Sequence, residues 1–223
     1  MTLAELVAQV YIKATGKVST LTSTDTKYQK ILAIANQFIS QWENTTGVDW
    51  SSLYEREHSI GTISATATYD LDDDIRKLSD TRGDYVQIAS ATDDDNCVHY
   101  DIVPADTLSR YGSGSKVCAQ IGRTLVFRDA FTSDSPVYGG TIYAPIYLYA
   151  EPLASANDEV PVDIPQWLVI MTAAEYVRND ATKQNQYPNL VAEAGALLDR
   201  MIDDNDAQVN EAYIPFSPLG RSW

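Results

Sequence analysis

The sequence predicts an α+β fold: a helical body built from both ends of the chain, an inserted antiparallel β-sandwich or barrel-like domain, and an extended C-terminal arm. Three observations carry this. Residues 1–50 hold two segments with apolar side chains at three- and four-residue spacing, a period of two takes over near Tyr54, and helical spacing returns after Pro165. The expected divisions are an N-terminal helical part over 1–50 and a β-rich insertion over 51–155. A C-terminal helical part over 156–209 packs with the first, and a tail covers 210–223.

Thr2 with Glu5 three residues later is a capping-box pattern for a first helix, in which Leu3, Leu6, Val7, Val10 and Ala14 share a face and Gly16 ends the run. Thr24 and Asp25 are cap candidates for a second helix. Its apolar stripe is Tyr28, Ile31, Leu32, Ala35, Phe38, Ile39 and Trp42. Ile63, Ala65, Ala67, Tyr69 and Leu71 alternate with Ser and Thr as a half-buried strand does. Asp84–Ala91 and Cys97–Val103 predict two strands around an acidic turn at Asp93–Asn96. Val117–Ile121 and Leu125–Phe127 predict a hairpin closed by Gly122-Arg123. Thr141–Tyr149 reads as a long strand that Pro145 confines to a sheet edge or a bulge. Pro165 and Pro188 each open a helix, where a missing N–H costs nothing. The third helix is apolar over a wide arc. The fourth carries Leu190, Val191, Ala194, Leu197, Leu198, Met201 and Ile202 and ends at the acidic run Asp203-Asp204-Asn205-Asp206.

Composition sets the function classes. At 223 residues with 44% hydrophobic content and 14 tyrosines, the chain can bury a sizeable core. No apolar run reaches the ~18 residues of a membrane helix, and the N-terminus lacks a basic-then-apolar leader, so a soluble protein without a signal peptide is expected. The formal net charge is −15, from 31 acidic and 16 basic residues, which argues against grip on a phosphate backbone. Asp158–Glu211 holds eleven acidic and three basic residues. Two readings stand for that stretch: a solvated acidic surface, or a surface that meets DNA without holding it.

Candidate chemistry is sparse. The two cysteines, Cys97 and Cys118, lie in predicted strands and read as reduced core thiols. His58 and His99 are the only histidines, and both sit in alternating strand patterns. Cys97 and His99 would share a strand face, but a four-ligand zinc site lacks partners. Asp72-Asp73-Asp74 and Asp93-Asp94-Asp95 lack the alternating ligands and central glycine of a calcium loop and read as exposed turns. Gly112-Ser113-Gly114-Ser115-Lys116 lacks the spacing of a phosphate loop. No catalytic, cofactor or metal site is therefore expected. An enzyme of another class, a carbohydrate-active hydrolase using paired carboxylates, is the alternative. The apolar residues of the tail, Tyr213, Ile214, Phe216, Leu219 and Trp223, cannot join a regular helix because Pro215 and Pro218 intervene. They either fold back on the helices or anchor an interface.

Phe38-Ile39-Ser40-Gln41-Trp42 followed by Trp50, then Tyr69-Asp70-Leu71, then Leu148-Tyr149-Ala150-Glu151-Pro152-Leu153-Ala154-Ser155 with Val160-Pro161 and the Ala173-Ala174 helix, form a recurring order of elements. In that order the chain resembles the head-to-tail adaptor (connector) proteins of tailed bacteriophages, of the tubular type found below the portal in short-tailed phages. Asp72 stands where that family often has a proline after its Tyr-x-Leu segment. The resemblance implies a structural virion protein at the head–tail junction, assembled in the host cytoplasm. It implies a homo-oligomeric ring, usually a dodecamer, with a portal protein and tail nozzle or tail-tube proteins as partners. DNA would be only a non-specific cargo in the channel, and no membrane is involved. It also favours the tail as a partner-binding arm. A tail-tube or head-completion component is the alternative within the same virion. Subunits of charge −15 repel, so salt should promote their assembly.

Overall fold

The computed structural model describes residues 1–79, 83–90, 97–178 and 180–211, without the side chains of 208–211. The described residues form four α-helices and eight strands, divided between a unit of residues 1–52 with 150–223 and a unit of residues 53–149.

In the first unit, α1 (Leu3–Thr15) starts as its sequence dictates. The Thr2 hydroxyl accepts from the Glu5 amide, the Glu5 carboxylate accepts from the Thr2 amide, and Gly16 closes the helix at φ 69°. The second helix, α2 (Thr26–Glu43), has Asp25 at its N-cap position without a side-chain cap bond. That carboxylate instead accepts from the Thr22 amide and hydroxyl at 2.7 and 3.1 Å, tightening the preceding turn. Helix α3 (Pro165–Arg178) packs against α1, α2 and α4 (Tyr187–Glu211), which is why its apolar arc is so wide. Trp42 and Trp50 stack with centroids 4.9 Å apart, and the Trp50 indole donates to the Trp42 carbonyl. Phe38 meets Trp167 edge-on. Helix α4 does not stop at the acidic run but continues to Glu211. Met201 and Asn205, one turn apart, are both buried, so the stripe passes through that run.

The second unit is one hydrogen-bonded sheet in the order β1 (Tyr54–Thr62), β8 (Thr141–Leu148), β4 (Tyr85–Ala89), β5 (Cys97–Ile102), β6 (Val117–Ile121), β7 (Thr124–Phe127) and β2 (Thr68–Asp70). β3 (Ile75–Leu78) pairs with β8 off this path. Neighbours are antiparallel except β5 and β6. The sheet curls around a core that includes Ile63, Leu71, Val86, Ile88, Leu125, Phe127, Ile142 and Ile146. The β6–β7 hairpin turns on Gly122, φ 63°, at the first central position of a two-residue loop, where glycine is preferred.

Two expectations change, and of the edge or bulge expected at Pro145 only the bulge is found. The strand read over Ile63–Leu71 shrinks to Thr68–Asp70, because the Tyr69 hydroxyl bonds Ser64 and the Thr66 hydroxyl accepts from the Thr68 amide, making a local turn of the segment before it. The strand holding Pro145 lies inside the sheet, between β1 on one side and β3 and β4 on the other. Pro145 is tolerated there because β4 stops at Gln87–Tyr143 and β3 begins at Leu78–Ile146, while β1 bulges between Glu55 and His58 opposite it. Ala150–Ser155, assigned to the β-rich part from sequence, belongs to the helical unit. The turn at Asp93–Asn96 lies outside the described residues.

Candidate functional site

The segment from Ala150 to Val160 is a strap laid on α1 and α2, and side chains hold five of its backbone groups. The buried Glu43 carboxylate accepts from the Ala150 amide at 2.8 Å. Asn36 uses both ends of its amide on Leu153, accepting from its N–H at 2.9 Å and donating to its carbonyl at 2.8 Å. Asp158 accepts from the Ala154 and Ser155 amides, both at 2.7 Å, and these two bonds hold its carboxyl below the usual carboxylate range. In return the strap carbonyls of Asp158 and Ala156 accept from Leu3 and Ala4, two of the N–H groups that a helix start leaves without intrahelical partners. Leu153 and Val162 bury their side chains. The strap thus joins the two ends of the chain into one unit, while Tyr69-Asp70-Leu71 lies in the other unit.

Beyond the C-terminal end of α2, a cavity of about 240 Å³ is lined by Ser51, Asp163, Ile164, Met201, Asp204 and Asn205. Asn205 shapes it, accepting from the Ser51 amide at 2.8 Å and donating to the Asp49 carbonyl at 3.0 Å. Burial pushes the Asp163 carboxyl up, against the opposing hydrogen bond from Ser52. Asp204, also in the lining and exposed, pairs with Arg200 3.5 Å away. Sequence reasoning missed this pocket. The signal was Asn205, a polar residue four after Met201 on the apolar stripe, whose amide can bond backbone on both sides.

The other candidates separate. Cys118 is buried on β6, its thiol pushed up to about 12 mainly by burial, and Cys97 on β5 is half-buried beside the Gln87 amide. Neither cysteine is in a disulfide among the described residues. His58 bonds Glu55 at 2.7 Å, and His99 stacks on Tyr85 with centroids 4.1 Å apart. Asp73 pairs with Arg123 at 2.8 Å. Gly112–Lys116 does cradle an anion, but the chain's own: Asp129 accepts from the Gly114 amide at 2.6 Å and from the Ser113 hydroxyl. Among the described residues no group of three or more His, Cys, Asp or Glu is placed to hold a metal ion, and no helix is long and apolar enough to cross a membrane. Tyr213, Ile214, Phe216, Leu219 and Trp223 lie outside the described residues. In comparison with known proteins, no family model and no curated protein matches the chain.

Proposed function

We propose that this chain is a structural virion protein, a subunit of a homo-oligomeric adaptor ring that joins the capsid portal to the tail and lets DNA pass through its channel. One observation carries the reading: both chain ends are sewn by the Ala150–Val160 strap into a single helical unit, with a separate β unit of residues 53–149 inserted between them. That construction leaves the inserted unit free to serve a different partner from the helices. We read the curled sheet as a barrel-like body facing a tail component, and the helices as the ring-forming part. The carboxylates of α4 left outside subunit contacts suit a channel, since attraction to phosphates would trap DNA in transit and repulsion keeps it sliding. In this reading the apolar tail residues Tyr213, Ile214, Phe216, Leu219 and Trp223 anchor the subunit to the portal.

The test is co-assembly. Purified chain mixed with portal rings of short-tailed phages should yield portal-bound rings by negative-stain imaging, with a mass fitting about twelve copies for each portal. A chain that binds no portal, and gives no ring at high concentration, sinks the adaptor reading.

A further inference from the structure

The helical unit separates its charge along its length. Residues 13–30 hold four lysines and one carboxylate, whereas residues 199–206 hold four carboxylates and one arginine. The fold sends these two stretches to opposite ends. Lys27 reaches the Tyr11 hydroxyl, Lys30 lies over the Tyr176 ring near the end of α3, and Lys183 donates to the Ala14 carbonyl, so the lysines gather where α1 and α3 finish and α2 begins. At the far end of α2, Asn205 ties α4 to Ser51 and Asp49 beside the pocket lined by Asp163 and Asp204.

The 18 residues of α2 place about 27 Å between the two ends. The screening length at physiological salt is about 8 Å, so the ends cannot neutralise each other within one molecule. Their own pairings leave charge over. Lys13 is matched by Glu193 and Arg178 by Glu175, but Lys17 is exposed in the loop after α1 and Asp203 is exposed on α4. The pocket has an apolar wall, Ile164 and Met201, and two exposed carboxylates, Asp163 and Asp204, of which Asp204 lies 3.5 Å from Arg200 of its own helix. That combination suits a lysine side chain, whose methylene stem lies on apolar surface while its ammonium meets oxygen.

We infer that the helical unit docks head to tail on a second copy of this chain, the lysine-bearing end of one copy against the Asp163–Asp204 pocket end of the next. Such a contact is heterologous, joins different surfaces of identical subunits, and closes into a ring when its rotation allows. The inference rests on the ring-forming reading above and specifies the contact within it. It reverses one expectation from net charge: a contact between complementary ends weakens as salt rises, although subunits of charge −15 repel overall.

Two variants test it, K17E/K30E and D203K/D204K, each of which keeps one native end. All substituted side chains sit on exposed or half-exposed positions, and melting curves check that both variants fold; the single changes K17E and D203N replace them if either does not. In sedimentation velocity at low salt, each variant alone should self-associate at least about tenfold more weakly than the native chain. An equimolar mixture should regain association, because it holds one native pair of ends and one pair with the charges exchanged, and added salt should loosen both this association and native oligomers. Native association in either variant, a mixture no better than its parts, tightening with salt, or a native chain that stays monomeric at every concentration overturns the inference. Unaltered self-association with lost portal binding in D203K/D204K also overturns it, and assigns the acidic end to the portal. Portal-bound rings formed equally well by both variants sink the head-to-tail contact and leave the adaptor reading standing.

Discussion

Replacing Asn36 by alanine removes both hydrogen bonds that clamp Leu153 to α2, at 2.8 and 2.9 Å. Leu153 as a whole is 3% exposed, so its backbone groups are not readily reached by water. Each of the two lost bonds is worth about 1 kcal/mol, and leaving buried partners unmet adds about 1–3 kcal/mol, so the substitution should cost roughly 3–5 kcal/mol. Domain stabilities run about 5–15 kcal/mol, so this is a large share. For a unit of this size roughly 3–5 °C is lost per kcal/mol, and the helical transition should fall by roughly 10–25 °C. The assay is thermal unfolding followed by helical circular dichroism, with hydrogen exchange of the Leu153 amide as a local readout. Asn36→Asp sharpens the test: it keeps the acceptor for the Leu153 N–H but turns an ionised oxygen toward the Leu153 carbonyl. Its deficit against the native chain should narrow as the pH falls and the carboxyl regains a proton to donate. If Asn36→Ala melts with the native chain and its Leu153 amide exchanges no faster, the strap does not hold the unit together.

Gly140→Ala should cost about 1–3 kcal/mol or more, because a Cβ there would overlap the Ala89 carbonyl; Gly112→Ala, with open space around it, is the near-neutral control in denaturant titrations. Stability should fall on the alkaline side. Burial raises Cys118 from 9.0 to about 12 and, with Asp84 nearby, Tyr54 from 10.0 to about 12. The folded chain therefore holds these protons more tightly than the unfolded one, and stability present below pH 9.0 is lost as pH rises toward 12, the reverse of what a depressed carboxylate would give. Urea midpoints measured across that range check it, and a flat profile refutes it. Removing residues 212–223 should leave the melting temperature unchanged and abolish portal attachment; a truncated chain that unfolds, or docks as tightly as the full one, shows that the tail is not the anchor.

What could be read locally was read well. The capping box at Thr2 and Glu5, the Gly16 stop, the α2 stripe and the Gly122 turn each depend on residues within a few positions of one another, so short-range spacing contains the whole cause. The same spacing failed where partners are distant. Ile63–Leu71 alternates like a strand, yet Tyr69 folds back on Ser64 and only three residues keep a ladder with β7. Pro145 called for an edge or a bulge because its missing N–H is a local fact; that the bulge lies in β1 and that the partner changes from β4 to β3 beside it are tertiary ones. Net charge was countable from the chain, but a count carries no direction. Only the fold, by running α2 between the lysines and the Asp163–Asp204 pocket, turned a uniform-looking surplus of carboxylates into two unlike ends, because the range of a screened charge is shorter than the helix that separates them.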